Sequence, residues 1–399
     1  MIHQVIVDVC LLISATSLLF YGMVLYATWH WVRTREPTEA LSDVLPPVSV
    51  LKPLCGMDDE LYENLLSVCC QIYPRFEVLC GVQNPSDPSI PIVQRLAREH
   101  PSAAIRLVIS PPPTSGNPKI SNLIALEQQA QYALLVIADG DIRVGPDYLR
   151  RIARPFHDPA IGAVTCLCRA RGRGVAGVIE MLRLAAFSAG VLVARLLEGM
   201  SFALGSTIAV RRTVLDAIGG LPAIADYLAD DYMLGHQVAR AGSTVLLSTY
   251  VVDHLVASDR LGEVFARQLR WNRGVRVSRP RGYLGLLWTY GVPASLGVVL
   301  ATGGSSFGWC VLGLTWGMRF LMAAVVAAAR HDRVALRWLW ATPLTDFVDA
   351  LMWGWGLWGE TVVWRGQKFR ITREGKLVPL MSPMVAGGLQ MVPGTMGVR

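Results

Sequence analysis

The chain has 399 residues, 52% of them hydrophobic and only 17% charged, with a mean hydropathy of +0.40. That is too apolar for a plain soluble protein, in which about 25% of residues are charged, and the length allows roughly two or three domains. A formal charge of +7 admits nucleic acid, a membrane surface or a phosphorylated substrate; the Arg residues crowd beside apolar segments, so membrane and phosphate lead and nucleic acid is set aside. The eight Cys show no C-x-x-C spacing, and Cys69-Cys70 and Cys166-x-Cys168 lack His partners nearby, so they read as reduced thiols acting as small hydrophobes.

Residues 5–32 are almost continuously apolar and long enough to span a bilayer. Asp8 lies near the outer end, Trp29 and Trp31 fall where an aromatic belt would sit, and Arg33 and Arg35 follow, which places the downstream side in the cytoplasm. With no basic n-region and no small-residue cleavage site, the stretch reads as a signal anchor rather than a signal peptide. A polar, Pro-containing linker over 36–47 leads to alternating elements. Strands are predicted at 48–54, 76–82, 105–109, 134–138, 162–167, 207–210 and 244–248. Helices are predicted at 60–71, 92–100, 119–130, 148–156, 214–218 and 230–240. The alternation argues a parallel α/β sheet of Rossmann-like type.

Residues 175–197 form a long apolar helix carrying Arg183 and Arg195, read as lying on the membrane surface because internal charges are costly in a span. Residues 261–276 read as an amphipathic helix. Two apolar spans, 285–301 and 307–329, form a hairpin open to the cytoplasm, flanked by Arg276, Arg279, Arg281 and by Arg330, Arg333, Arg337. Residues 341–364 are apolar but hold Asp346, Asp349 and Glu360, and a basic stretch follows; a re-entrant or interfacial hairpin keeps that stretch cytoplasmic and gives the carboxylates a protein environment. The expected layout is an anchor at 1–35, a catalytic domain at 46–281, a membrane or re-entrant region at 283–365 and a basic cytoplasmic tail at 366–399.

The stretch that organises the rest is Leu134-Leu135-Val136-Ile137-Ala138-Asp139-Gly140-Asp141. A short apolar run bounded by turn residues reads as a buried parallel strand, and ligands of open α/β sheets sit outside the carboxyl ends of such strands. Two hard oxygen ligands there suit Mg²⁺ or Mn²⁺ bridging a diphosphate, with Gly140 letting the backbone turn close to a ligand. The alternative is an ordinary Asp-Gly turn. Asp87, Lys119, Asp231 and the Arg267-x-x-Arg270-Trp271 group likewise fall at strand ends, loops or helix starts.

This ordered set resembles the ceramide glucosyltransferase family, within the membrane-bound inverting glycosyltransferases of GT-A fold, whose pattern is D, D, D, (Q/R)-x-x-R-W. Here it reads Asp87, Asp139, Asp231 and Arg267 to Trp271, with Lys52-Pro53-Leu54 and Asn117-Pro118-Lys119-Ile120-x-Asn122-Leu123 also matching. The resemblance implies a GT-A (Rossmann-like, mostly parallel sheet) catalytic domain with N- and C-terminal transmembrane helices. It implies Asp231 as the base that deprotonates the acceptor hydroxyl, Asp139 and Asp141 on the metal (or Asp139 on the nucleotide-sugar and Asp141 on the metal), and Asp87 on uridine. Lys119, Arg267 and Arg270 would neutralise the diphosphate, and Trp271 would shape the acceptor entrance. Each has a plainer reading: Asp231 as a helix-start carboxylate, Lys119 as a solvated loop lysine, and Arg267 and Arg270 as side chains snorkelling to lipid headgroups.

Cys55-Gly56 and Asp230 depart from the eukaryotic pattern, and residues 185–190 lack the His those enzymes carry. The chain is more similar to the bacterial, hopanoid-biosynthesis branch. That branch implies a bacterial inner-membrane enzyme moving N-acetylglucosamine from UDP-GlcNAc to bacteriohopanetetrol, with ceramide and UDP-glucose as the alternative pair. A processive polysaccharide synthase would need more spans, and a non-catalytic nucleotide-sugar sensor would not need the complete motif set.

Overall fold

Val48 and Val50 pack on one face of a central sheet and Leu51 on the other; Val78, Cys80 and Val82 alternate with Leu79, and Leu134 and Val136 with Leu135 and Ile137. The period of two follows from side chains pointing alternately across a strand, and because both faces are apolar the sheet is covered by helices on both sides. The computed structural model describes residues 2–34, 45–58, 60–101, 103–113, 115–256, 260–364 and 367–380.

In chain order the first elements are α1 (Ile2–Arg33), β1 (Val48–Pro53), α2 (Leu61–Cys69), β2 (Phe76–Val82), α3 (Ile90–Glu99), β3 (Ile105–Ile109), α4 (Pro118–Gln129), β4 (Leu134–Ala138), β5 (Ile142–Arg143) and α5 (Tyr148–Ala153). There follow β6 (Ile161–Arg171), α6 (Gly174–Glu198), β7 (Thr207–Arg211), α7 (Arg212–Ala217), α8 (Asp230–Arg240), β8 (Thr244–Leu255) and α9 (Leu261–Ser278). The eight strands take the order β3-β2-β1-β4-β7-β6-β8-β5. β3, β2, β1 and β4 run parallel; β7 is antiparallel to both β4 and β6, β8 is parallel to β6, and β5 is antiparallel to β8. Leu61, Leu65, Val93, Leu96, Leu149 and Ile152 cover one face, and Ile120, Leu123, Leu126, Leu215, Leu234 and Val238 the other. The sheet is therefore mixed but mostly parallel, as expected, with β6 and β8 running further than their apolar cores alone suggest.

The C-terminal part comprises α10 (Pro280–Gly285), α11 (Gly291–Ala301), α12 (Ser306–Ala329), α13 (Arg333–Arg337), α14 (Thr342–Gly356) and an antiparallel sheet of β9 (Thr361–Trp364), β10 (Gln367–Ile371) and β11 (Leu377–Pro379). Among the described residues α1, α6 and α12 are long and apolar enough to cross a membrane, and the segment 280–289 with α11 makes a pair bent by 48°. The span predicted at 285–301 is thus broken rather than straight.

Four other expectations change. Trp31 does not sit in an aromatic belt: it is buried, and its indole Nε1 donates to the Ser248 carbonyl of β8 at 3.3 Å, so α1 docks directly on the central sheet. Trp29 stays half-exposed beneath the Arg33 guanidinium, 4.5 Å from the ring centroid. The helix predicted at 175–197 is not a surface helix, being 67% buried over its most apolar window between the sheet, α1, α12 and α14. The segment 341–364 is no continuous apolar hairpin. Its helix stops at Gly356, where Arg276 donates to the Leu357 and Gly359 carbonyls and Arg273 to those of Trp358 and Thr361. β-Branched Thr361, Val362 and Val363 then form a strand, as such residues prefer. The carboxylates do find protein partners: Asp346 pairs with Arg319 at 2.7 Å and Asp349 with Arg183 at 2.6 Å. The start of the predicted tail folds back as β10 and β11 on the loop before α8, through Leu228 N–H to Gly375 O (3.0 Å) and Leu377 N–H to Asp226 O (2.7 Å). Residues 381–399, and most of the predicted linker, lie outside the described residues.

Candidate active site

The apolar run of β4 is buried throughout and ends at Asp139. Asp139 and Asp141 both remain partly open, with side chains 33% and 31% exposed. Gly140 does not adopt the left-handed conformation; a Cβ there would approach Leu54 Cδ2 to 3.2 Å and Asp58 Oδ2 to 3.4 Å. It lies in the turn closed by Ile142 N–H to Asp139 O (3.2 Å), packed closely against the side chains of the loop after β1.

Asn117 connects the motif segments. Its Oδ1 accepts from Lys119 N–H (3.0 Å) and Ile120 N–H (3.3 Å), an N-cap for α4 with Pro118 in the first turn. Its Nδ2 donates to Tyr227 O (2.9 Å) and Asp230 Oδ1 (3.2 Å), so one side chain ties the start of α4 to the start of α8. Lys119 Nζ then lies 2.7 Å from Asp139 Oδ1 and 3.6 Å from Asp230 Oδ2. Burial alone would lower the lysine, but Asp139, Asp230 and Asp231 around it raise its pKa.

Asp231 sits in the first turn of α8, its Oδ1 accepting the Tyr232 N–H at 2.8 Å. Burial, then the neighbouring Asp230, push its carboxyl up to about 6, a value suited to a base near neutral pH. A Cβ at Gly205, two residues before β7, would sit 2.9 Å from Asp231 Oδ2, so a side chain there would displace the carboxylate from its place.

Asp141 Oδ2 meets His254 Nε2 at 3.1 Å. Burial would raise the Asp141 carboxyl, but His254, Lys52 and Lys119 outweigh it and bring it to about 2; burial lowers His254, and Asp141 overrides that and raises it. Burial also lifts the Asp139 carboxyl, against the pull of Lys119. Lys52 is wholly buried and donates to the Asp139 carbonyl at 2.5 Å; burial holds its pKa below the ordinary value. Asp87 is buried in the loop that follows β2. Its Oδ2 accepts Gly56 N–H (2.9 Å), and its Oδ1 accepts the Ser89 N–H (2.9 Å) and hydroxyl (2.6 Å).

On α9, Arg267 Nε faces Glu180 of α6 at 3.4 Å, Arg270 lies over the Trp364 ring at 5.2 Å, and Trp271 is half-buried. The structure therefore gathers Asp139, Asp141, Lys119 and Asp231 at one carboxyl edge, holds Asp87 within the adjoining loops, and turns Arg267 toward α6. Sequence reasoning missed His254, Lys52, Asp230 and Glu180 as site residues. His254 was legible: Thr249 to Val252 continue the β-rich pattern past the predicted strand end at 248, which carries Asp253-His254 to the strand's carboxyl end. Glu180, one charge inside an apolar helix, gave no comparable signal.

Among the described residues no three Asp, Glu, His or Cys side chains converge to enclose a metal ion by themselves. Asp141 Oδ1, however, is buried with no hydrogen-bond partner, beside a second carboxylate whose Oδ1 holds Lys119. An orphaned buried carboxylate oxygen beside a second carboxylate fits a hard divalent cation.

The family described as Glycosyl transferase family 21 matches residues 9–377. Ceramide glucosyltransferase 1 of Caenorhabditis elegans is 24% identical over 380 residues, 92% of this chain and 80% of that protein. Ceramide glucosyltransferase 3 of the same organism is 26% identical over 230 residues, 57% of this chain and 50% of that protein. Among solved structures, the mannosyltransferase PcManGT from Pyrobaculum calidifontis, in complex with GDP-Man and Mn²⁺, aligns with a TM-score of 0.51 at 19% identity, covering 85% of this chain and 99% of that one. A mixed sheet with its acidic motifs at one edge, apolar helices packed on it and a family match spanning nearly the whole length lead to one conclusion: the chain belongs to glycosyl transferase family 21, as a membrane glycosyltransferase of GT-A fold.

Proposed function

We propose that this protein transfers a hexose, with inversion, from a UDP-sugar to a hydroxyl group of a membrane lipid. The observation that carries the reading is the convergence of Asp139, Asp141, Lys119 and Asp231 at the sheet's carboxyl edge, beside helices able to enter a bilayer. Asp231 accepts the proton of the acceptor hydroxyl, and that oxygen attacks the anomeric carbon as the bond to the β-phosphate oxygen breaks. The electron pair leaves with UDP. Lys119 and Arg270 neutralise the charge that develops there, and Asp87 frames the pocket for the uracil base. Asp141 and Asp139 would hold Mg²⁺ or Mn²⁺, with His254 bonded to Asp141; the bound ion would supply Lewis-acid stabilisation of the leaving diphosphate. Trp271 lines the side from which the acceptor enters.

Ceramide with UDP-glucose is the first donor–acceptor pair to test, because the most extensive relatives above are ceramide glucosyltransferases. The departures at Cys55, Asp230 and residues 185–190 favour a second pair, UDP-GlcNAc with bacteriohopanetetrol, in which case the enzyme works at a bacterial inner membrane with its catalytic domain in the cytoplasm. The test gives purified protein in detergent each UDP-sugar with each lipid, with Mn²⁺ or Mg²⁺, and reads the lipids by mass spectrometry. A hexosyl- or hexosaminyl-lipid supports the reading and assigns the pair. UDP binding without any glycosylated lipid overturns it in favour of a sensor, and a long polymer in favour of a processive synthase.

A further inference from the structure

The small sheet of β9, β10 and β11 has two faces of different chemistry, because side chains alternate along each strand. Val362, Phe369, Ile371 and Leu377 point inward and cluster with Leu228, with Trp364 beside them under Arg270. The alternation puts Thr361, Val363, Lys368, Arg370 and Val378 on the outer face. Lys368 stands opposite Val363, and Arg370 stands between Thr361 and Val378. Leu380 extends that face, its N–H donating to the Lys368 carbonyl at 2.9 Å. All six are exposed. The outer face thus carries two cations and no carboxylate. Among the described residues neither Lys368 nor Arg370 has an acidic partner. Arg373, in the turn between β10 and β11, adds a third exposed cation. Of the nearby acids, Glu374 pairs with Lys376 at 3.7 Å and Glu360 precedes β9. Aliphatic side chains interleaved with cations suit a headgroup layer, where the cations meet anionic groups and the aliphatics reach the acyl boundary.

The preceding helix brings the chain to that layer. α14 has 15 residues, about 22 Å at 1.5 Å per residue, too short to cross a hydrocarbon core of about 30 Å. One side of it buries Asp346 and Asp349 against Arg319 and Arg183. The other exposes Leu344, Leu351 and Trp355 in one stripe, and exposed Trp358 follows just beyond its end. Exposed Trp at the end of an apolar stripe marks the level at which a helix meets the headgroups. Gly359, at a φ of 81°, turns the chain there, and β9 starts two residues later. The cationic face is therefore continuous in the chain with the apolar surface.

We propose that the outer face of the β9–β10–β11 sheet docks on anionic lipid headgroups of the membrane that the apolar helices enter. Lys368 and Arg370 pair with the headgroup charges, while Val363, Val378 and Leu380 reach the acyl boundary. The inner side of the same unit bonds to the loop before α8, through Leu228 N–H to Gly375 O and Leu377 N–H to Asp226 O. Docking thereby fixes the segment that leads into Asp231 at the lipid surface. This goes beyond the transfer reaction and does not depend on it.

The test places the full-length protein, without substrate, in nanodiscs of phosphatidylcholine alone or with about 30% phosphatidylglycerol. Acetylation of each lysine is followed by mass spectrometry. The lysines are Lys52, Lys119, Lys368 and Lys376, so each reports separately. Lys376 lies over the Tyr227 ring, 5.7 Å from its centroid, and serves as the neighbouring reference. Lys368 should be acetylated about tenfold more slowly in the anionic discs than in the neutral ones, with a smaller change at Lys376. The contrast should close at about 1 M salt, where the Debye length is roughly 3 Å. Arg370→Gln should shrink it about fivefold; if that variant does not fold, the wild-type contrast and its salt dependence decide. Equal Lys368 rates in the two lipids overturn the docking, as does an equal contrast at Lys376, which would report mere nearness to the membrane. Protection of Lys368 in detergent that is lost on dilution also overturns it and assigns the face to a second copy of the chain. None of these outcomes bears on glycosyl transfer, which the lipid panel decides.

Discussion

Asp231 carries the chemistry of the proposed reaction, and its surroundings set both its reactivity and its cost. Burial and Asp230 lift its carboxyl from 3.8 to about 6, so the base form is lost as pH falls through that value: kcat should drop about tenfold per pH unit below 6 and level off above it. Asp230→Asn removes a like charge, which lowers the Asp231 pKa and moves the acid limb of the profile to lower pH. The same shift has a stability sign. A carboxyl whose folded pKa lies above its unfolded value binds its proton more tightly when folded, so the contribution is full below pH 4 and lost as pH rises through 6. Asp231→Asn should therefore melt at a higher temperature than the wild type at pH 8 while being nearly inactive, a trade of stability for function. His254 is bonded to Asp141 rather than to open solvent, and His254→Ala should raise the Mn²⁺ concentration for half-maximal activity about 10- to 100-fold, with the folding transition little changed; an unchanged metal titration would remove His254 from the site.

Elements far apart in the chain are held together at the site by a few polar ties. The β9–β10–β11 sheet brings Trp364 under Arg270, and Leu377 and Gly375 bond to the loop that precedes Asp230. Phe369 and Ile371 bury its small core with Leu228 and Val362. Phe369→Ala should cost about 3–5 kcal/mol locally and lower activity through the Arg270 and Asp231 segments, which a protease-protection assay of residues 361–380 would register as earlier cleavage. Arg319 and Asp346 form a buried ion pair between α12 and α14. Arg319→Ala leaves a carboxylate buried alone and should destabilise by about 3–5 kcal/mol, whereas Arg319→Ala with Asp346→Ala should recover most of that loss in a thermal melt.

Across the whole molecule, the catalytic domain and the membrane helices share one core: Tyr21, Val24, Ala27 and Trp31 of α1 pack with Leu192 of α6, Leu247 of β8 and Met322 and Val326 of α12. The central sheet was readable in advance because its strands are short apolar runs punctuated by Gly, Pro and Asp, and every strand from β1 to β4 fell where the pattern put it. The ordered acidic motifs were readable for the same reason, being polar residues where an apolar run stops. What escaped depends on pairings between distant segments. Nothing local marks Asn117 as the tie between α4 and α8, Glu180 as the partner of α9, or Trp31 as a buried plug on β8 rather than an interfacial belt residue. The C-terminal strands were hidden because the apolar composition of 341–364 looks alike whether it forms a helix throughout or a helix followed by a strand; only the glycines at 356 and 359 and the β-branched run after them distinguish the two.

The central claim is an inverting transfer to a lipid hydroxyl with Asp231 as base. It is tested most directly by comparing the wild type and Asp231→Asn, in detergent with Mn²⁺ and the donor–acceptor pair that the lipid panel selects. Product is followed by mass spectrometry, its anomeric configuration by NMR, and donor affinity by UDP binding. The account predicts a β-linked glycolipid from the α-linked donor in the wild type, and in the variant unchanged UDP affinity with product formation reduced at least about a hundredfold. An α-linked product, or a variant that transfers sugar at the wild-type rate, would contradict it.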